Sequence, residues 1–163
     1  GLAYSKGRNW AGKVDAVQHY RGATYVINEY GGKKNGITLG SFININDFNE
    51  KPMNSNGDFD PTKDHLYMHE YGHYLQSMSV GPIYLFSYGI PSFIDILNNE
   101  DIDNGNLRSH DIYWPEIDAN RRAKKYFEEN ENLQVWDDDR YPLFYPIFSD
   151  RRPTLYNFSP YPL

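Results

Sequence analysis

The residues with the clearest chemical potential are His69, Glu70 and His73, which occur in the order His-Glu-x-x-His. On an α-helix, at about 100° per residue, His73 lies about 40° and Glu70 about 100° round from His69, so all three side chains project from one side. Two imidazoles one turn apart can bind one metal ion, while the carboxylate between them reaches the attacking water. The spacing therefore predicts a zinc site with a general base; the alternative is a surface helix with two solvated histidines.

The sequence around this motif predicts the helix that must carry it. Asp60 is a good N-cap, Pro61 suits the first helical position, and Asp64 lies favourably near the positive end of the helix dipole. We expect the helix to continue to about Met78. Gly72 is a poor helix former, which indicates that another backbone passes close to it.

A catalytic zinc site has three protein ligands and one open position, so the two histidines need a partner. The chain contains no cysteine, and the third ligand must therefore offer nitrogen or oxygen. His65 shares the helical stripe of His69 and His73, but the three span about 12 Å of helix rise. That distance excludes His65, because metal bonds are only about 2.1 Å long.

Glu116 has the best sequence context for the third ligand. It stands in the first turn of a second predicted helix and begins the pattern Glu-x-x-Ala-Asn. The small Ala119 allows this helix to approach the first one closely, and Asn120 is placed to accept a hydrogen bond from a ligand imidazole. The alternatives that stay open are His110, His19, an acidic residue between positions 101 and 111, and a simple dipole-complementing role for Glu116.

Composition limits the possible classes of protein. The chain has 163 residues, enough for one domain with a substantial core. Its net charge of −6 argues against nucleic acid or an anionic membrane as the main partner. Aromatic residues make up 17% of the chain, including 15 tyrosines, and such side chains suit a groove or a partner surface.

The apolar runs and the first residues of the chain indicate whether it crosses a membrane and whether it is a fragment. No apolar run approaches the roughly 20 residues that cross a bilayer, and no signal peptide is visible. The first residues, GLAY, do not look like a natural start. We therefore expect a fragment of a larger protein.

Residues 1–48 are predicted to be β-rich and to form a small antiparallel sheet. Short runs rich in Val, Ile, Thr, Tyr and Phe cover Lys13–Tyr20, Ala23–Glu29 and Ile37–Ile45. In the third run, successive residues alternate between two faces, as in a single strand that has Ile37 and Ile45 on its buried face. Because this strand precedes the metal helix, we expect it at the sheet edge beside the cleft, where an extended peptide could pair with it.

The remaining chain is predicted to be mainly helical up to residue 130, which makes the fold class α+β. A turn-rich connector at 49–57 precedes the metal helix, and the apolar segment 83–97 predicts two short buried helices. A polar loop at 98–110 leads to the second long helix, from Pro115 to about Asn130. Residues 131–163, acidic at first and then rich in Tyr and Pro, are expected to wrap the core irregularly.

The combined motifs resemble known zinc peptidases. The HExxH helix with a downstream Glu-x-x-Ala-Asn resembles the gluzincin branch of zinc metallopeptidases, in which that glutamate is the third ligand. More closely, the blocks ITLGSFI, HEYGHYLQS, GPIYL, GIPSFID and E-x-DANRRA-x-x-YF are similar to the metallopeptidase domain at the C-terminal tips of RHS-repeat polymorphic toxins from Bacteroidetes. The resemblance covers roughly residues 1–130, and HEYGH and E-x-DANRRA are its most specific parts.

This resemblance implies a zincin-like fold with one catalytic Zn²⁺ and a peptide or protein substrate. It also implies a toxin that is secreted, or delivered into a target cell by a larger protein, and that has a cognate immunity protein. Two other functions remain as alternatives. One is an inactive, metal-stabilised binding module, and the other is a secreted digestive peptidase.

The expected chemistry is metal-assisted hydrolysis of an amide bond. Glu70 takes a proton from the attacking water and passes it to the leaving amine. A further donor would stabilise the oxyanion. Tyr113 and His110 are the candidates closest in sequence to the proposed third ligand, and Tyr71 or Tyr74 on the metal helix are the others.

Overall fold

The computed structural model of the protein describes residues 14–28, 34–47, 51–84 and 114–144. These residues form an α+β fold, in which a four-stranded sheet packs against two α-helices. The elements in chain order are β1 (Ala16–Tyr20), β2 (Ala23–Asn28), β3 (Asn35–Leu39), β4 (Phe42–Asn46), α1 (His65–Val80) and α2 (Trp114–Glu131).

The sheet is mixed, so the prediction of an antiparallel sheet is wrong for its central pair. The strand order is β1-β2-β4-β3; the β1–β2 and β3–β4 pairs are antiparallel, and β2 pairs with β4 in parallel. The parallel pair arises because β3 runs back along the edge before the chain turns into β4. The two central strands carry most of the buried sheet residues, as their Val and Ile content favours.

The prediction of one strand over Ile37–Ile45 is also wrong, because the segment is a hairpin. The turn lies at Gly40 and Ser41, and Gly40 has a φ of 66°, which glycine adopts without strain. Thr38 pairs with Ile43 across the hairpin and shares its buried face. Ile37 therefore lies on the opposite face and is 39% exposed.

Helix α1 begins later than the sequence predicts. Asp60 does act as a cap, but it caps a separate 3₁₀ turn at Pro61–Lys63, where its carboxylate accepts from the Thr62 amide at 3.0 Å. The N-cap of α1 is Asp64, whose backbone is extended and whose side chain accepts from the Leu66 amide at 2.9 Å. The assignment of Asp60 and Pro61 to the start of the metal helix is therefore wrong.

Strand β3 lies along α1 and is fastened to it at both ends. Lys34, just before β3, forms an ion pair with Asp64. The Ser77 hydroxyl, 2.7 Å from the Tyr74 carbonyl of its own helix, also lies 3.2 Å from the Gly40 carbonyl. Lys34 and Gly40 are six positions apart along the strand, and Asp64 and Ser77 are thirteen positions apart along the helix. Each stretch is about 20 Å long, so strand and helix match over this length.

The core lies between the sheet and the two helices and is unusually aromatic. Tyr67 and Tyr71 of α1 are almost fully buried, and Tyr67 stacks on Tyr25 of the sheet with ring centroids 5.7 Å apart. The core continues into residues 132–144, which contain no helix or strand and contribute Trp136 and Tyr141 to it. Its other buried members are Ala23, Ile27, Ile43, Ile45, Leu66, Met68, Tyr74, Ala123, Phe127 and Leu143.

Several predictions concern residues outside the described ranges. These are most of the two short helices at 83–97, the polar loop at 98–110, and the tail beyond residue 144. Among the residues that the structure describes, neither helix combines the length and apolarity that a bilayer crossing requires.

Candidate metal centre

His69, His73 and Glu116 meet at the interface of α1 and α2. The two histidine rings are perpendicular, with centroids 4.8 Å apart. Glu116 Oε2 lies 3.0 Å from His73 Nε2 and 3.4 Å from His69 Nε2. One ligand atom from each residue lies within 4.8 Å of the other two, so the group could hold a metal ion.

A backbone contact between the two helices makes this meeting possible. Gly72 lies against Ala119, and a Cβ on Gly72 would stand 2.7 Å from the Ala119 carbonyl carbon and closer still to its oxygen. The expectation that a backbone passes close to Gly72 is thereby confirmed. Glu116 precedes Ala119 by about one turn, and His73 follows Gly72. The contact between the helices therefore places the Glu116 carboxylate next to the histidine imidazoles.

Side-chain amides fix both imidazoles in the same tautomer. Asn120 Oδ1 lies 2.6 Å from His69 Nδ1, and Gln76 Oε1 lies 2.9 Å from His73 Nδ1. An amide oxygen only accepts, so each Nδ1 carries the proton and donates it. In the neutral form of each imidazole, Nε2 therefore has the lone pair and directs it to the space shared with Glu116.

Further contacts determine which way these two amides face. The Asn120 amide nitrogen donates to the Pro142 carbonyl at 2.9 Å. The Gln76 amide nitrogen donates to the Pro115 carbonyl at 2.7 Å and to Asp118 Oδ2 at 2.9 Å. Because each nitrogen has acceptors on the far side, each amide oxygen must point to its histidine.

The electrostatics of the site favour a positive charge between its ligand atoms. Burial alone would lower the pKa of His73, but the charge of Glu116 and its hydrogen bond outweigh burial and raise the pKa to about 9. A divalent cation supplies such a charge as well as a proton does. Two imidazole nitrogens and one carboxylate oxygen form a ligand set that zinc accepts, whereas calcium and magnesium prefer oxygen alone.

Glu70 is buried beside this group but is not part of it. Its carboxylate Oε2 accepts a hydrogen bond of 2.7 Å from the Thr38 hydroxyl on β3. Gly36, two residues earlier on the same strand, faces the same carboxylate. The site thus contains a set of three ligand residues and a separate carboxylate on the same helix.

The structure also places the residues that were alternatives for the third ligand. His65 Nε2 accepts from the Asp137 amide at 3.1 Å, and its ring stacks on Tyr141, so His65 anchors the segment 132–144. His19 lies on β1, at the edge of the sheet opposite to β3, where Thr24 contacts it. His110 and the acidic residues at 101–111 lie outside the described ranges.

None of the described tyrosines that were proposed as oxyanion donors faces the ligand atoms. The Tyr71 hydroxyl donates to the Arg21 carbonyl at 3.3 Å, and the Tyr74 hydroxyl lies against Gly22. Both therefore face the β1–β2 turn, and these two proposals are wrong. Tyr113 and His110 are outside the described residues, so their assignment stays a prediction.

Three residues near the site were missed from the sequence. Gln76 follows His73 by three residues, a spacing that places it on the same helical face and could have identified it. Thr38 reaches Glu70 only because of the hairpin register, which the alternation pattern conceals. Tyr141, whose ring centroid is 5.3 Å from that of His69, comes from the irregular segment and had no sequence signal.

Comparisons of the chain with protein-family models, with curated proteins and with solved structures found no match.

Proposed function

We propose that the protein is a zinc-dependent peptidase with a zincin-like active site. The observation that carries this proposal is the pairing of two features on α1. The ligand atoms of His69, His73 and Glu116 lie together, while Glu70 is buried outside that group and close enough for its charge to help raise the pKa of His73. A purely structural zinc site fills its fourth position and needs no separate carboxylate, so Glu70 favours catalysis over a metal-stabilised binding module.

In the proposed reaction, water adds to a peptide carbonyl and the C–N bond breaks to give a carboxylic acid and an amine. His69, His73 and Glu116 would hold a zinc ion, which would supply Lewis-acid chemistry for activating water and polarising the carbonyl oxygen. Glu70 accepts the proton released by the attacking water and delivers it to the departing amine nitrogen. Asn120 and Gln76 hold the imidazoles in the tautomer that the site requires.

The position of β3 supports a peptide as the substrate. Among the described strands, β3 pairs with β4 alone and therefore forms an edge of the sheet. Its residues Gly36 and Thr38 contact Glu70, so an extended peptide paired with this edge would run past the general base. The backbone groups of the edge would then align the scissile bond independently of side-chain sequence.

The biological setting that we propose comes from the resemblance to the tips of RHS-repeat toxins. It is an effector peptidase that a larger protein delivers into a target cell, where it cleaves a protein, and that an immunity protein neutralises in the producer. A secreted digestive peptidase is the alternative setting for the same chemistry. Toxicity on expression inside a susceptible cell distinguishes the two, because only an effector needs an intracellular target.

The test of the enzymatic proposal is Glu70→Gln, which keeps the shape of the side chain and removes its basicity. We expect zinc binding and folding to persist while peptide hydrolysis falls by about 10²- to 10⁴-fold or more. Glu129→Gln, the same change at an exposed position of α2, is the matched control and should retain full activity. Unchanged activity in Glu70→Gln would rule out the proposed mechanism.

A further inference from the structure

We propose that strand β3 positions the general base, with Thr38 holding the Glu70 carboxylate by a hydrogen bond and Gly36 leaving the space that the carboxylate occupies. This inference rests on the proposed function for its catalytic meaning. The placement itself is a property of the fold and can be measured without any substrate. Thr38 and Gly36 are thus positioning residues, since they act through Glu70.

The Thr38 hydroxyl has two acceptors on Glu70. Its Oγ1 lies 2.7 Å from Glu70 Oε2 and 3.1 Å from the Glu70 main-chain carbonyl. A hydroxyl has a single proton, so it donates mainly to one acceptor. The carboxylate oxygen is the stronger of the two acceptors, because it is charged and lies closer. Both residues are buried, so water does not compete for this hydrogen bond. Oε2 is thereby held, which fixes the orientation of the whole carboxylate.

Gly36 faces the other side of the same carboxylate. A Cβ at this position would lie 2.5 Å from Glu70 Oε1 and 2.6 Å from both Cγ and Cδ. Any other residue would occupy the volume that the Glu70 side chain now fills. Because the obstructing atoms belong to a flexible side chain, the expected response is a displaced Glu70 and an intact backbone.

The strand can serve as a positioning element because its own location on α1 is set independently. The Lys34–Asp64 ion pair precedes Thr38, and the 3.2 Å contact between the Ser77 hydroxyl and the Gly40 carbonyl follows it. A slip of one residue would turn Thr38 to the opposite face of the sheet, so these fastenings preserve the register. The β-branched threonine is also restricted in χ1, which limits the directions its hydroxyl can take.

The experiment compares Thr38→Val, which removes the hydroxyl at nearly constant shape, with Thr38→Ser, which keeps it. We expect Thr38→Val to lower kcat by about 10- to 100-fold with KM within about twofold of wild type, and Thr38→Ser to restore most of kcat. Zinc content should be equal in all three proteins. In crystal structures of the zinc-loaded proteins, Glu70 should leave β3 in Thr38→Val and stay in Thr38→Ser.

Two further variants make the comparison specific. Gly36→Ala should displace Glu70 and lower kcat in the same way, although it leaves the Thr38 hydroxyl in place. Thr24→Val removes a hydroxyl from β2 whose side-chain contact is His19, and it should change neither kcat nor the Glu70 conformation.

The possible results separate this proposal from the proposed function. Wild-type protein that cleaves no peptide, together with a displaced Glu70 in Thr38→Val, would contradict the peptidase and support the placement by β3. A Thr38→Val protein with Glu70 in its wild-type position and unchanged kcat would overturn the positioning role. A loss of zinc or of folding in Thr38→Ser would also overturn it, because the residue would then act on the whole structure.

Discussion

Gly72 on α1 and Ala119 on α2 are in backbone contact, and a Cβ on Gly72 would lie 2.7 Å from the Ala119 carbonyl carbon and 3.1 Å from its α-carbon. This contact is adjacent to His73 and about one turn from Glu116. The spacing of the helices at this point sets the distance between the imidazole nitrogens and the carboxylate. A glycine that is unfavourable for helix formation by about 1 kcal/mol is therefore required for the site.

We expect Gly72→Ala to abolish zinc binding. The obstructing atoms at Ala119 belong to the backbone, so the helices must separate, and Glu116 must move away from His69 and His73. Overpacking of this kind costs about 1–3 kcal/mol of unfolding free energy, which exceeds the gain in helix propensity. Zinc stoichiometry and chemical denaturation measure both effects, and Met78→Ala, at an exposed position of the same helix, is the control. Full zinc occupancy in Gly72→Ala would show that the contact does not set the site.

The amides that hold the imidazoles should contribute to metal affinity. We expect Asn120→Ala and Gln76→Ala each to weaken zinc binding by about 10- to 100-fold, because the ligand histidines lose their fixed tautomer and orientation. Competition titration with a chromophoric chelator gives the dissociation constants. Asn130→Ala changes the same residue type at an exposed position of α2, where its amide donates to the Tyr126 carbonyl, and should have no effect. Equal zinc affinity in all three variants would contradict this account.

Zinc should stabilise the folded protein, since the ligand residues come from two separate helices and converge only after folding. At a free zinc concentration about 1,000 times the dissociation constant, binding adds about 4 kcal/mol to the unfolding free energy. For a domain of this size the midpoint temperature should rise by roughly 8–16 °C. Thermal unfolding with zinc and with a chelator measures the shift. The shift should vanish in Glu116→Ala, and its persistence there would point to a different third ligand.

The parts of the site that could be predicted from the sequence are those determined by helical spacing. The interval between His69 and His73 placed both on one face, and the interval between Glu116 and Asn120 placed the carboxylate and the amide together. The backbone approach at Gly72 was also predictable, because an interior glycine in a strongly helical segment needs a packing reason.

The errors have identifiable physical causes. Alternation of polar and apolar residues continues through the turn at Gly40 and Ser41, so the pattern does not reveal that the chain reverses there. The parallel pairing of β2 with β4 depends on contacts between segments that are distant in sequence. Asp60 and Asp64 are both plausible N-caps by local sequence. Asp64 also forms an ion pair with Lys34 just before β3, a contact between distant segments that the local sequence does not reveal.

The most direct test of the central claim is an anomalous-scattering map recorded at the zinc edge from crystals of the zinc-loaded protein. We expect one peak about 2.1 Å from His69 Nε2, from His73 Nε2 and from a Glu116 carboxylate oxygen, with one coordination position open toward Glu70. A map without a peak at this point, or a peak whose ligands exclude Glu116, would contradict the account.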